Sequence, residues 1–195
     1  MKRLVVVFPG IGYTADKPLL YYGLAVAGEC GYQENRKLRF VPLDKNNIRG
    51  NEAAMKAAFD ELFIQAEEQL KDVEWNCYDD ILFLSKSIGT IIACAYAAKH
   101  GITTVRHVLY TPLKFTYQYD QHSAIAFIGT ADAWGDYQEV VALSEEAGIP
   151  IRIFDGCNHS LEVAGDADGN ISRLAEIMKA TRGFIENSIE TGEEM

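Results

Sequence analysis

The sequence has no apolar run near the roughly 18 residues that a membrane-spanning helix needs, so no membrane span is expected. It also lacks a basic excess. Its 18 Lys and Arg stand against 28 Asp and Glu, a formal net charge of −10. That balance favours solubility and argues against nucleic acid or an anionic membrane as partner. Cysteine is sparse: Cys30, Cys77, Cys94 and Cys157 show neither metal-ligand pairing nor the density of a disulfide framework. They read as reduced thiols of a cytoplasmic protein. No repeat, linker or low-complexity segment interrupts the chain. Met1-Lys2-Arg3 followed by Leu4 to Phe8 imitates the start of a signal peptide. However, that run is only five residues long and ends at Pro9-Gly10 without a small-residue cleavage site. A first strand is the better reading.

What remains is a chain of 195 residues with 48% hydrophobic content, enough for one domain over residues 1–195 with a sizeable core. Glu190 to Met195 is polar and reads as a frayed tail. Strand-like runs fall at Arg3–Phe8, Leu38–Leu43, Asp80–Leu84, Val105–Tyr110, Ala124–Gly129 and Pro150–Phe154. Most are continuously apolar, the pattern of strands covered on both faces. Helices fit Pro18–Cys30, Asn51–Lys71, Ile88–His100, Asp136–Ala147 and Asp168–Ser188, with Asn51 as an N-cap and Gly101 and Gly148 beyond helix ends. Alternating strands and helices imply an α/β fold, a three-layer α/β/α sandwich around a six-stranded, mostly parallel, doubly wound sheet. Ligands of such sheets bind at the carboxyl ends of the strands.

Three of those ends carry a serine, an acid and a histidine in chain order. Ile81-Leu82-Phe83-Leu84-Ser85-Lys86-Ser87-Ile88-Gly89 reads as a buried strand, a tight turn and the start of a helix. A serine hydroxyl is a poor nucleophile at neutral pH and needs a base within hydrogen-bond reach, and the base needs an acid to fix its tautomer. Ser87 is the candidate nucleophile; the plainer alternative is that Ser85 and Ser87 merely cap a helix. Asp132, in Gly129-Thr130-Ala131-Asp132, is the candidate acid, with Asp136 as its rival. His159, in Asn158-His159-Ser160, is the candidate base. His100 ends a helix, His107 lies within a strand and His122 sits at the amino edge of the sheet. The tetrahedral oxyanion would need two donors. Ile88 would give one from the helix start, and Ile11, with Gly12 beside it, another from the glycine turn Gly10-Ile11-Gly12-Tyr13.

These motifs together resemble the α/β-hydrolase superfamily over nearly the whole chain, from Leu4 to the final helix. Pro9-Gly10-Ile11-Gly12 is similar to that family's His-Gly oxyanion loop, and the order Ser87, Asp132, His159 is the family's own. Pro9 stands where histidine is usual, and Ser85 where the elbow usually has glycine. The family's two leading strands have no counterpart, and only Thr111 to Ser123 occupies the place of a cap domain. The resemblance therefore implies a small, lidless, esterase- or thioesterase-like serine hydrolase acting on a small acyl substrate without cofactor or metal. Tyr13, Phe115, Tyr117, Tyr119, Trp134 and Tyr137 would surround the site and hold an apolar group, or be ordinary packing. Three other readings stay open. Gly10-Ile11-Gly12-Tyr13-Thr14-Ala15, with Asp44 after the second strand, fits a dinucleotide-binding fingerprint. A hydrolase-like fold can serve as a non-catalytic binding module, and an acyltransferase would use the same triad. Substrate and oligomeric state are not legible.

Overall fold

The computed structural model describes residues 1–41, 48–121 and 123–190, with the side chains of 188–190 excepted. Among these residues six strands and five α-helices follow in the order β1 (Arg3–Phe8), α1 (Pro18–Glu29), β2 (Glu34–Lys37), α2 (Glu52–Leu70), β3 (Asp80–Lys86), α3 (Ile88–His100), β4 (Arg106–Tyr110), β5 (Ala124–Gly129), α4 (Tyr137–Glu146), β6 (Ile151–Phe154) and α5 (Ala167–Glu190). The sheet order is β2-β1-β3-β4-β5-β6, with every neighbouring pair parallel.

The apolar runs explain the layering. Successive side chains of a strand face opposite sides. Val5, Val7, Leu82 and Leu84 therefore meet α1 and α5 on one face, while Leu4, Val6, Phe8 and Phe83 meet α2 and α3 on the other. All five residues from Leu4 to Phe8 are fully buried, at roughly 1.5–3 kcal/mol for each large side chain withdrawn from water. Asn51 caps α2 by accepting from Ala54 N–H at 3.1 Å. Gly101 and Gly148 turn left-handed past α3 and α4, as expected.

The second strand is a correction. It lies at Glu34–Lys37 rather than Leu38–Leu43. This strand is an edge with one paired neighbour, and three of its four residues are exposed. An edge strand of polar and charged residues leaves no apolar run for sequence reading to find, and such residues blunt further pairing. Leu38 is buried just beyond it and closes the ladder through its N–H to Val7 O at 3.0 Å. The rest of the expected strand, from Pro42, and Asp44 with it, lie outside the described residues, as do His122 and 191–195 of the expected frayed tail. The backbone of Glu190 still belongs to α5.

Chain order reverses between β1 and β3. The chain leaves β1 for one edge of the sheet and returns as β3 on the other side of it. Such a switch point opens a crevice at the strand carboxyl ends. The loop after β1 (Gly10–Tyr13) and the turn after β3 (Ser87) face each other there: a Cβ on Gly10 would lie 3.2 Å from the Ser87 Cβ. The opposite end of the sheet is structural. Arg106 pairs with Asp80 at 2.8 Å, bonds the Tyr32 hydroxyl, and donates to Ile185 O at 3.0 Å, tying α5 to β4.

Candidate active site

Ser87 joins β3 to α3 with φ 56° and ψ −128°. A left-handed φ on a residue with a side chain costs on the order of 1–3 kcal/mol and persists only where the surroundings impose it. Here they do. Ser87 N–H donates to Tyr110 O at 3.1 Å, and its own carbonyl accepts from Thr90 N–H at 2.9 Å and the Thr90 hydroxyl at 2.6 Å. The turn needs Gly89, where a Cβ would stand 2.3 Å from Phe8 O and 2.5 Å from Pro9 O. Gly89→Ala would force β1 away from α3. It is expected to lower stability by about 1–3 kcal/mol, the usual cost of overpacking, read by denaturant melts. Unchanged stability would mean that the turn relaxes freely.

The plain capping reading fails for both serines. The Ser87 side chain caps nothing, and the Ser85 hydroxyl donates to Val108 O at 3.1 Å within the sheet. Ser87 Oγ instead lies 2.8 Å from His159 Nε2. His159 Nδ1 lies 2.7 Å from Asp132 Oδ2 and 2.9 Å from Oδ1. An ionised carboxylate only accepts. Nδ1 therefore carries the proton, and Nε2 of the neutral ring accepts from the Ser87 hydroxyl.

Each partner is held by its loop. Asp132 follows β5; its N–H donates to Gly129 O at 3.2 Å, and its Oδ1 accepts from Trp134 N–H at 2.9 Å. Its carboxylate is 3% exposed and is shared between the Trp134 N–H and His159. Asp136 is engaged elsewhere, capping α4 by accepting from Gln138 N–H at 2.9 Å. His159 lies in a turn built by Asn158, whose Oδ1 accepts from Ser160 N–H at 2.7 Å. The Thr111 hydroxyl donates to His159 O at 3.2 Å, and the Trp134 ring stacks on the imidazole at 5.4 Å. The other described histidines point away from this site. His100 bonds Glu67 at 2.6 Å, and His107 is buried beside Cys94.

The loop after β1 closes on itself, Gly10 N–H to Tyr13 O at 3.1 Å and Tyr13 N–H to Gly10 O at 3.3 Å, with Gly12 at φ 76°. The Ile11 and Gly12 N–H groups make no hydrogen bond among the described residues. Ile88 N–H, in the first turn of α3, has no helical acceptor. Ile11, Ile88, Ser87 and His159 line one cavity of about 210 Å³. The same loop is a poor dinucleotide cradle. That use places the pyrophosphate on a helix start directly after the turn, whereas α1 begins only at Pro18.

The aromatics divide. Tyr13 and Trp134 line the Ser87 cavity. Phe115 lines an adjoining cavity of about 230 Å³ that shares Trp134 and Met55 with the first. Tyr119 lines a cavity further along α2, Tyr117 turns inward to bond the Ser144 hydroxyl, and Tyr137 lines none of these. Met55 was not singled out in the sequence, because nothing in helical spacing says which buried position of α2 will meet a loop from β5. Lys86 is a second residue of this kind, a buried cation on the cavity wall. Its signal was present, a charge at the end of an otherwise apolar strand and directly before Ser87.

Burial disfavours the charged form of His159, and the Lys86 ammonium repels it. Together these outweigh the hydrogen bond and charge of Asp132 and hold its pKa below the ordinary 6.5. No group of three or more His, Cys, Asp or Glu is placed to hold a metal among the described residues. Nor is any helix among them long and apolar enough to cross a membrane.

The parallel sheet in this order, with its strained serine turn, defines the α/β-hydrolase fold. Solved structures bear this out at low identity. A lidless serine hydrolase from Xanthomonas campestris superposes with a TM-score of 0.61 at 13% identity, covering 95% of this chain and 81% of that one. Est1E from Butyrivibrio proteoclasticus with ferulic acid bound gives 0.66 at 11%, covering 96% and 90%. Esterase 2 of Thermogutta terrifontis gives 0.57 at 16%, covering 95% and 83%. No sequence-family model matches the chain, and no curated protein sequence does.

Proposed function

We propose that this protein is a serine hydrolase that cleaves a small carboxylic ester or thioester through an acyl-enzyme on Ser87. The observation that carries this is the continuous hydrogen-bond chain from Ser87 Oγ through His159 to Asp132. Ser87 Oγ attacks the acyl carbonyl as His159 Nε2 takes its proton. Asp132 holds Nδ1–H and stabilises the imidazolium. The oxyanion is received by Ile88 N–H and Ile11 N–H, the first helped by the dipole of α3. His159 then protonates the leaving group, activates water and clears the acyl-enzyme. Every step is proton transfer or acyl transfer, so the proposal calls on no cofactor or metal.

The surroundings support a small and accessible substrate. Between β4 and β5 the described residues form only a short 3-10 turn, Lys114–Gln118, with no helical cap. Of the similar solved structures, one is an esterase and another holds ferulic acid, a carboxylic acid of the kind that ester cleavage releases, which favours an ester among the acyl compounds a triad can open. We propose a cytoplasmic location, which four free thiols favour.

A pH profile tests the base. His159 works only when neutral, so kcat/KM rises with pH through the pKa of the free enzyme and then levels. Because that pKa is depressed, the half-rise on an uncharged ester is expected below pH 6.5. A midpoint clearly above 6.5 where chemistry limits the rate would count against His159 as the base.

A further inference from the structure

The triad chemistry leaves one buried cation unused. Lys86 ends β3 and is 1% exposed. Among the described residues its ammonium makes no hydrogen bond and no ion pair. Its directed contact is the Tyr13 ring, 5.0 Å away at the centroid. The Tyr13 hydroxyl is already engaged, accepting from Leu19 N–H at 3.1 Å.

A buried ammonium without a partner is costly, and a leucine or methionine would fill this strand position without that cost. The charges nearest it offer little relief. Asp132 attracts it from beyond ion-pair distance, and protonated His159 repels it. Burial pushes the Lys86 ammonium down to about 7, so a bound anion would restore its full charge. Lys86 also lines the cavity of Ser87 and His159, and no other Lys or Arg does so among the described residues. Among the described residues, the wall of this cavity thus carries one lysine and no carboxylate.

We propose that Lys86 receives a carboxylate carried by the substrate, which makes the preferred substrate a half-ester or half-thioester of a short dicarboxylic acid. This rests on the serine hydrolase reading above. One cation balances one carboxylate, whereas a phosphate would leave surplus charge in a cavity whose other walls include Tyr13, Met55 and Trp134. Those walls suit a short methylene chain. The acyl side is favoured because it stays bonded to Ser87, the next residue in the chain, while the leaving group departs.

The test compares half-esters of succinic, glutaric and adipic acid with esters of butyric, valeric and hexanoic acid. These pairs match in length and differ in a terminal carboxylate or methyl. Rates are corrected for uncatalysed hydrolysis. Wild type is expected to favour at least one half-ester by about tenfold or more in kcat/KM, expressed mainly in KM, as for a buried charge contact. Lys86→Met, similar in length but neutral, is expected to lose that preference while a fluorophosphonate probe still labels Ser87. Equal or lower efficiency on every half-ester in wild type would overturn the proposal, with no variant needed. A preference that survives in Lys86→Met would overturn it as well. If wild type cleaves no ester and takes no fluorophosphonate label, the hydrolase reading itself falls; a labelled enzyme without the preference sinks only the role of Lys86.

Discussion

Ser87→Ala is expected to abolish labelling by a fluorophosphonate probe, read by intact mass, and to lower turnover of acyl esters by on the order of 10⁴-fold or more. The size follows from the position of the residue. Ser87 Oγ is the atom that would form the acyl bond, and His159 Nε2, 2.8 Å away, has no other hydroxyl at that distance to activate. A water in its place lacks the fixed geometry and forms no acyl-enzyme, so burst kinetics should vanish together with the label. The fold should survive, because the Ser87 hydroxyl bonds only the imidazole, while the strained turn is held by backbone groups and Thr90. Removal of the hydroxyl therefore separates catalysis from stability. Stoichiometric labelling of wild type but not of the variant would establish an activated serine. Near-normal turnover in the folded variant would end the mechanism.

Asp132→Asn should be nearly as damaging, about 10³- to 10⁴-fold in kcat. The carboxylate accepts from Nδ1–H through both oxygens, at 2.7 and 2.9 Å, and is 3% exposed. An amide can turn its NH₂ toward Nδ1, which then becomes the acceptor. The ring proton moves to Nε2, and the nitrogen facing Ser87 no longer takes a proton. The amide also would not balance an imidazolium formed during the proposed attack. Asp136→Asn is the control. Asp136 caps α4, and asparagine caps a helix about as well as aspartate, so activity and melting temperature should barely move. The reverse result, with the Asp136 variant crippled and the Asp132 variant mild, would reassign the acid.

These two experiments bear on a site whose parts lay at different depths in the sequence. The central strands were legible because burial on both faces writes an unbroken apolar run, as in Leu4 to Phe8 and Ile81 to Leu84. The edge strand Glu34–Lys37 was not, since it is mostly exposed and needs only backbone pairing with β1. The Ser87 turn was legible as a turn, because small residues between an apolar strand and a helix-forming stretch mark a tight strand-to-helix connection, and the structure places it there. Lys86 is harder to read: a charge between two serines looks like an ordinary loop residue until the register places it inside the sheet, opposite Tyr110.

The sequence by itself determined the class of fold, the chain order of serine, acid and histidine, and the loops that carry them, because periodicity and turn chemistry are local properties. Only the tertiary structure shows that Asp132 meets His159 while Asp136 caps α4, since both follow β5 within a few residues and differ in which partner their side chains meet. It alone closed the distances from Ser87 to His159 and from His159 to Asp132, joined across 72 and 27 residues. It also turned Lys86 into the one cation on the wall of the reaction cavity among the described residues. Those facts depend on three strand ends meeting at one edge of a sheet, and strand order is set by packing between segments that are distant in the chain.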